Sequence, residues 1–307
     1  MTLRLLCLTA LLSLAACAQA QGATLGVVGA ANDAPLSDGG RWAVIWVHGG
    51  MEIIDGRTLA RRTVDLAGPC AAQFGQPRAV ASGLVLVECS YSVKLGKPKL
   101  LVYDLTTRTF TDVPGTEILL RGSDGSTVSD VGRSWIAFAL TGHRGESTPG
   151  LLNWHTGKAA PAPAFARDHV IDLDAPSATR PICRAIRRPA SRRRLFIYRK
   201  PFALVDRGTA SRHRLVLERC DRRPRALATG SSARSVSLGA RAVAWIDGAT
   251  IHARSLRDGR ERTWRAPPGK AVLGLAEIGS RLLVMIQGGP YGGPQGFGFT
   301  VYSGRLP

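Results

Sequence analysis

Three aspartates, Asp168, Asp172 and Asp174, are the residues whose type and spacing come nearest to a metal site. If the segment is extended, Asp172 and Asp174 share one side of it, because side chains alternate along a strand. Carboxylates placed in this way could bind Ca²⁺ or act as a glycosidase-like pair. Aspartate is also a common turn residue and Pro176 follows closely, so ordinary turn chemistry is the simpler interpretation.

The chain carries none of the common catalytic motifs. It has no G-x-S-x-G nucleophile elbow, no H-E-x-x-H metal motif and no G-x-x-x-x-G-K-[ST] phosphate loop. Its six histidines are scattered and share no spacing typical of metal ligands. We therefore expect no cofactor, with Ca²⁺ at the three aspartates as the alternative.

Arginine dominates the charge of the chain, whose formal net charge is +19. Between Arg180 and Arg225, 15 arginines and one lysine stand against three acidic residues. A stretch this basic attracts phosphates, teichoic acids, anionic lipid or nucleic acid, although a solvated arginine-rich loop without a ligand would look the same. The candidate anion-binding residues are Arg184, Arg187, Arg188, Arg192, Arg193 and Arg194.

The first 20 residues are typical of an export signal. Arg4 precedes an apolar run over residues 5–16, which is shorter than the roughly 20 residues needed to span a bilayer. Two cleavage sites compete, because residues 18–20 (AQA) fit signal peptidase, whereas residues 14–17 (LAAC) match a bacterial lipobox that ends at Cys17. We favour lipidation of Cys17 over cleavage after Ala20, and we expect one domain over residues 22–307.

Four cysteines remain after either cleavage, namely Cys70, Cys89, Cys183 and Cys220. An even number in an exported chain suggests disulfides, and three pairings are possible. We favour the two pairs that are near in sequence, Cys70–Cys89 and Cys183–Cys220, because each would join neighbouring strands of one repeat. Their spacing does not resemble that of a zinc site.

The rest of the chain has the pattern of an all-β fold. Apolar runs of four to seven residues, rich in Val, Ile, Leu and aromatic residues, end at Gly, Pro and Asp. Asp-Gly pairs occur at five places, and they tolerate the positive φ that tight turns between strands require. Hydrophobic residues make up 45% of the chain, so widespread disorder is not expected.

A strand phrase recurs about six times, most clearly as GGRWAVIW at 39–46 and GRSWIAFA at 132–139. Each copy marks a strongly apolar inner strand, which follows a leading strand and precedes a third strand and a polar fourth strand. Units of about 40–50 residues are the size of β-propeller blades. The inner strands are expected to start near Trp42, Leu84, Trp135, Leu195, Ala242 and Leu282.

These repeats predict an all-β fold, a single six-bladed β-propeller of four-stranded antiparallel blades, with five or seven blades as alternatives. The last repeat lacks a fourth strand before Pro307. The apolar residues 23–28 could fill that edge, or they could be the first strand of the first repeat. Closing the ring with strands from both ends of the chain would remove two exposed edges.

The phrases around the inner strands resemble the repeat of TolB-type (WD40-like) β-propellers. Residues 37–44, SDGGRWAV, and residues 129–138, SDVGRSWIAF, are similar to the family phrase S-x-D-G-x-x-I-A-F without its characteristic proline. Residues 101–108, LVYDLTTR, and residues 151–158, LLNWHTGK, are similar to the companion phrase D-x-x-T-G-x. The resemblance implies a bacterial extracytoplasmic ring that binds partners through its loops or central funnel, and it transfers no catalytic residue.

Two functions from different classes fit this pattern. The first is a non-enzymatic binding or scaffold module for a protein or an anionic polymer of the cell envelope. The second is a secreted propeller enzyme, lactonase-like or glycosidase-like, with a metal at the centre. Such an enzyme would need Asp, Glu, Asn or His where the inner strands start, but those positions carry mostly Arg, Ser, Gly and Trp, which favours the first function.

The basic fourth repeat adds a third interpretation, an anchor for anionic wall polymer or lipid headgroups whose binding should weaken as ionic strength rises. With either cleavage site we expect an extracytoplasmic monomer, held at the cell surface as a lipoprotein or secreted. A protein or an envelope polymer is the expected partner. The membrane should be touched only through the lipid anchor, and nucleic acid is not expected.

Overall fold

The computed structural model describes residues 25–71, 74–90, 99–121, 126–144, 146–162, 173–174, 196–199, 201–207, 213–220, 222–230, 236–288 and 299–307. Within them the backbone forms 24 strands and one short 3₁₀ helix, Thr116–Arg121. No helix in this part of the chain is long and apolar enough to cross a membrane. The strands are β1 (Gly26–Ala31), β2 (Leu36–Ser37), β3 (Trp42–Val47), β4 (Gly50–Asp55), β5 (Arg61–Asp65), β6 (Phe74–Ala81), β7 (Leu84–Ser90), β8 (Lys99–Asp104), β9 (Phe110–Asp112), β10 (Ser126–Val131), β11 (Trp135–Thr141), β12 (Ser147–Asn153), β13 (Ala159–Pro161), β14 (Phe196–Arg199), β15 (Phe202–Asp206), β16 (His213–Arg219), β17 (Arg222–Gly230), β18 (Val236–Leu238), β19 (Ala242–Asp247), β20 (Thr250–Ser255), β21 (Glu261–Arg265), β22 (Val272–Ile278), β23 (Arg281–Gln287) and β24 (Phe299–Arg305).

The strands form six antiparallel four-stranded sheets, which are the blades of a β-propeller. Blades 1 to 5 each take four consecutive strands, from β2–β5 in blade 1 to β18–β21 in blade 5. The first strands of neighbouring blades contact one another, as β2 does with β6 and with β22, so these strands surround the axis. The predicted all-β fold with six four-stranded blades is confirmed.

Blade 6 combines the two ends of the chain. Strands β22, β23 and β24 are completed by β1, which pairs with β24 from Gly26↔Ser303 to Ala31↔Phe299. The N-terminal strand is therefore the fourth strand of the last blade, which is one of the two placements that the sequence allowed. The described strands of the ring run from Gly26 to Arg305, and the domain bounds 22–307 stay a prediction.

The apolar runs are continuous because a blade is buried on both sides between its neighbours. Val44 of β3 belongs to the core between blades 1 and 2, whereas Ala43 and Ile45 belong to the core between blades 6 and 1. Strand β19 likewise sends Val243 and Trp245 toward blade 4. Since side chains alternate along a strand, a second strand buried on both sides is apolar at successive positions.

The strongly apolar strand is the second strand of its blade and not the strand at the axis. The sequence predicts it as the inner strand, but the contacts between blades place the leading strand at the axis instead. The sequence argument against a central enzymatic site used the residues at the starts of the second strands. The residues nearest the axis lie instead on the first strands. Hydrophobicity marks the second strand because it is flanked by a strand on each edge and by a blade on each side.

The prediction that the fourth inner strand starts at Leu195 is wrong by one strand. The run Phe196–Arg199 forms the first strand of blade 4, and the second strand is Phe202–Asp206. Leu204, in the middle of that second strand, is fully buried. Both runs are apolar and only residues 200–201 separate them, so the pattern alone did not show which of the two comes second.

The connections between strands lie on two faces of the ring. We call the side that carries the turns between first and second strands, and between third and fourth strands, the hairpin face. The other described connections lie on the opposite face, except that Asp174 of the connection between β13 and β14 reaches the hairpin face. On the hairpin face the N–H of Ala240 donates to the carbonyl of Gly39 at 2.7 Å, and the N–H of Gly279 donates to the carbonyl of Gly40 at 2.6 Å. Blades 5 and 6 are thus joined to blade 1 there. The described turns of this face are 38–41, 56–60, 82–83, 105–109, 132–134, 154–158, 201, 220, 239–241, 256–260 and 279–280.

One position in the turns between third and fourth strands adopts the left-handed conformation in four blades. Its φ is 61° at Leu59, 65° at Arg108, 71° at Gly157 and 75° at Gly259. This conformation costs a residue other than glycine about 1–2 kcal/mol, so the glycines of blades 3 and 5 are the expected choice. Blade 1 has Leu59 at this position in place of glycine. The leucine is 43% exposed, so it gains little from burial.

A disulfide joins Cys70 and Cys89, the first of the two predicted pairs. Cys70 lies in the connection that follows blade 1, and Cys89 lies in β7 of blade 2. Both are fully buried, and the bond fastens that connection to the second strand of the next blade. Cys183 lies outside the described residues, so its pairing with Cys220 stays a prediction.

Candidate functional site

The six arginines predicted to bind anions lie outside the described residues, and their role stays a prediction. They are Arg184, Arg187, Arg188, Arg192, Arg193 and Arg194. The described continuation of this basic stretch is blade 4, whose outer strands β16 and β17 carry further arginines. The geometry of the basic surface can therefore be built from blade 4.

Blade 4 presents exposed arginines on its two outer strands. Arg214 lies in β16, and Arg223 and Arg225 lie in β17, the fourth strand at the rim. A β-bulge interrupts the pairing of the two strands next to Arg225, and Pro224 has no N–H. Both features protect the free edge from pairing with another strand. The rim offers positive charge in place of a hydrogen-bonding edge.

Glu218, the acidic residue of β16, forms its ion pair within blade 4. The carboxylate of Glu218, of which 3% is exposed, forms an ion pair with the exposed Arg207. Arg223 and Arg225 form no ion pair with any residue in the described ranges. Both side chains are exposed.

The basic surface continues onto the neighbouring turn of blade 5. Nη1 of Arg225 lies 3.3 Å from the point that a Cβ on Gly259 would occupy, so the two blades touch here. The same turn carries the exposed Arg257 and Arg260, of which Arg260 lies 3.5 Å from a carboxylate oxygen of Asp258. We call Arg223, Arg225, Arg257 and Arg260 the basic rim.

A second cluster on blade 5 shows an arginine that is neutralised internally. Arg254 donates to Glu261 from Nε at 3.0 Å and from Nη2 at 2.5 Å, and its guanidinium lies 5.4 Å from the ring centre of Trp245. Nδ1 of His252 lies 2.8 Å from the other oxygen of Glu261. Burial raises the pKa of Glu261, but the hydrogen bonds from His252 and Arg254 outweigh it and hold the pKa below its usual range. Arg254 is therefore not part of the basic rim.

Of the three predicted metal ligands, only Asp174 lies within the described residues. Its Oδ1 accepts the N–H of Arg133 at 2.7 Å, and its Oδ2 accepts the hydroxyl of Ser82. Ser82 and Arg133 lie in turns of blades 2 and 3, so Asp174 ties two blades together on the hairpin face. Asp168 and Asp172 are not described, and a Ca²⁺ site formed by the three stays a prediction.

Glu277 is a buried acid on a first strand, with 1% of its surface exposed. Its carboxylate accepts the N–H groups of Arg241 at 2.7 Å and of Ala242 at 2.8 Å. Its own N–H donates to the hydroxyl of Ser237 at 3.1 Å, and its carbonyl accepts the hydroxyl of Ser37. These bonds join blades 5, 6 and 1. In the described part of the chain, no three His, Cys, Asp or Glu residues form a group that could hold a metal ion.

Replacing Glu277 by glutamine is expected to lower the free energy of unfolding by about 2 kcal/mol, since one buried backbone N–H loses its acceptor. The side chain at position 277 has little room to move, because a Cβ on Gly239 would lie 2.1 Å from the carboxylate carbon of Glu277. Urea denaturation measures the change. The exposed Glu117→Gln is the control and should stay within about 0.5 kcal/mol of the wild type. Equal stability of the two variants would contradict the structural role of Glu277.

The sequence and the fold were compared with those of known proteins. No protein-family model matches the sequence, and a search of curated proteins finds no match. Among solved structures, TolB from Acinetobacter baumannii aligns over 92% of this chain with 11% identity and a TM-score of 0.34. The chain spans 55% of that TolB.

Two further solved structures match over nearly their full length. The β-propeller domain of Cps50 (Swd1) from Myceliophteria thermophila aligns over 91% of this chain and 99% of its own, with 11% identity and a TM-score of 0.47. The uncharacterized protein lmo1340 from Listeria monocytogenes aligns over 87% and 93%, with 9% identity and a TM-score of 0.49. No function is carried over from these similarities.

Sequence reasoning missed two parts of this description. Glu277 stands alone among apolar residues in β22, and a lone acid in a buried strand needs hydrogen-bonding partners, so a signal was present. Arg257 and Arg260 of the basic rim gave no such signal, because only the packing of blade 5 against blade 4 brings them beside Arg225.

Proposed function

We propose that this chain is an exported, monomeric propeller that binds an anionic polymer of the cell envelope and catalyses no reaction. The observation that carries the proposal is the basic rim, in which Arg223 and Arg225 are exposed and form no ion pair with described residues. An acidic protein surface is the alternative partner of the same chemistry.

Export is supported by the signal-like first 20 residues and by the disulfide between Cys70 and Cys89. Disulfides persist in oxidising compartments and are rare in the cytosol. We place the lipid anchor at Cys17, which would hold the ring at the cell surface. Cleavage after Ala20 would release it instead.

Binding at the basic rim would be multivalent and electrostatic. Each guanidinium offers a fork of donors that matches a phosphate or carboxylate group, and a polymer with repeated charges can meet several arginines at once. The six arginines between Arg184 and Arg194 belong to the same stretch and would add to the attraction. Because binding releases counterions, affinity should fall steeply with salt. Nucleic acid is not proposed as the ligand, because the site of action is outside the cell.

A salt titration of residues 22–307 with fluorescent polyphosphate tests the proposal. With about four phosphate contacts, the affinity should fall about 100-fold between 50 and 200 mM salt. The double variant Arg223→Glu/Arg225→Glu should bind at least about 10-fold more weakly at low salt, and its log–log salt slope should be smaller by about 2.

The matched control is Arg121→Glu/Arg144→Glu, which makes the same change of charge at exposed residues on the opposite face. It should bind within about 3-fold of the wild type, because long-range attraction alone is screened. The proposal fails if both double variants weaken binding equally, or if affinity does not depend on salt.

A further inference from the structure

The chain enters the ring on the hairpin face. Gly26, at the start of β1, pairs with Ser303 near the end of β24, and Arg305 at that end pairs with Arg281 beside the turn at 279–280. Leu25, the first described residue, packs against the core between blades 5 and 6. Any tether that precedes residue 25 therefore leaves from the hairpin side of blade 6.

The tether is short if Cys17 carries the lipid. Seven residues lie between Cys17 and Leu25, so the tether spans at most about 28 Å over its eight Cα-to-Cα steps when fully extended. Turning the opposite face to the bilayer would require it to run about 20 Å back along β1 first. The hairpin face is thus the face that such an anchor holds nearest to the membrane.

The hairpin face is also strongly basic. Its described turns carry eight exposed cationic side chains and two acids, Asp38 and Asp258, and Asp174 is a third acid on this face. The described connections of the opposite face are nearly balanced, with Arg121, Arg144, Arg207 and Lys270 against Asp33, Glu117 and Glu146. Six of the hairpin cations form no ion pair with described residues, and they are Arg57, Arg108, Arg133, Lys158, Arg241 and Arg257.

Leu59 adds an apolar group to this charged face. It is 43% exposed at a left-handed turn position, φ 61°, where blades 3 and 5 have glycine. Leu59 belongs to none of the core clusters formed by the described residues. The same turn leads into Arg61, whose guanidinium donates to the carbonyl of Val28 in β1 at 2.6 Å, so Leu59 lies on the blade next to the tether.

We propose that the hairpin face docks on anionic lipid headgroups, with its arginines contacting phosphates and Leu59 entering the interface. This proposal departs from the expectation that only the lipid anchor touches the membrane. The orientation rests on the proposed anchor at Cys17, whereas the charge and Leu59 do not. The unpaired cations are distributed over the turns of blades 1, 2, 3 and 5. Cations spread over four blades of one face can meet a membrane surface together, whereas a linear polymer would reach only a few of them at once.

Co-sedimentation with vesicles tests the proposal on residues 22–307, which lack the anchor. The wild type should bind vesicles with about 30% phosphatidylglycerol at low salt and should not bind pure phosphatidylcholine. The double variant Arg57→Glu/Arg108→Glu should lower the partition coefficient about 30-fold or more, since each basic residue near the surface contributes to binding. Leu59→Gly should lower it about 3- to 10-fold while retaining or raising the thermal midpoint.

Two matched variants separate this proposal from the polymer site. Arg121→Glu/Arg144→Glu on the opposite face should keep the wild-type partition coefficient within about 3-fold. Arg223→Glu/Arg225→Glu, which tests the polymer site, should lower vesicle binding less than Arg57→Glu/Arg108→Glu does. The inference is overturned if the wild type does not bind anionic vesicles at low salt, if the hairpin and opposite-face variants bind alike, or if only the basic-rim variant loses binding.

Discussion

Replacing Trp264 by alanine is expected to lower the free energy of unfolding by about 3–5 kcal/mol. Trp264 lies in β21, is 1% exposed and packs into the core between blades 5 and 6 with Leu282 and Leu306. A Cβ on Gly304 would lie 2.7 Å from its ring, so blade 6 is shaped around the indole. Alanine would leave a cavity beside the blade that closes the ring.

Urea denaturation followed by circular dichroism measures this loss. Trp46→Ala is the control, because Trp46 is only partly buried and its truncation should cost clearly less than that of Trp264. An equal loss in the two variants, or a loss below about 1 kcal/mol for Trp264→Ala, would contradict the packing described for blades 5 and 6.

Removing the disulfide with Cys70→Ala/Cys89→Ala is expected to cost about 3 kcal/mol. The bond closes a loop with a sequence separation of 19, and the stabilisation from restricting the unfolded chain is of this size for such a loop. Cys70 precedes β6 and Cys89 lies in β7. Without the bond, the free energy of unfolding should be lower because the junction of blades 1 and 2 loses its covalent link.

Reductant provides the control for the disulfide. The wild type in dithiothreitol should unfold near the midpoint of the double variant in dithiothreitol, because the predicted Cys183–Cys220 bond would be reduced in both proteins. A wild-type midpoint that is the same with and without reductant would mean that this bond does not stabilise the ring.

The blade architecture could be predicted from the sequence because the second strands are buried on both sides. The runs around Val44 and Val243 are apolar at every position. Similar runs follow one another along the chain at intervals of about one blade. The order of strands about the axis could not be predicted in this way, because hydrophobicity reports burial and not distance from the axis. For a related reason, the predicted second strand of blade 4 was placed one strand too early. The two apolar runs there look alike in the sequence and differ only in the strands with which they pair.

The candidate site was predicted in its charge and not in its geometry. The excess of arginine is visible in composition, but whether an arginine is free depends on tertiary partners. Arg254 is held by Glu261, whereas Arg225 reaches the turn of blade 5 at Gly259. Asp174 was chosen as a possible metal ligand, yet it accepts hydrogen bonds from two blades distant in sequence, which no local pattern indicates.

Arginine footprinting tests the central claim, that this ring binds an anionic polymer at the rim of blade 4, most directly. Residues 22–307 are modified with phenylglyoxal with and without polyphosphate, and peptide mass spectrometry then locates the protected side chains. The account predicts protection of Arg223 and Arg225, and of the arginines between 184 and 194, with Arg121 and Arg144 reacting as before. Protection confined to other blades, or no protection at low salt, would contradict it.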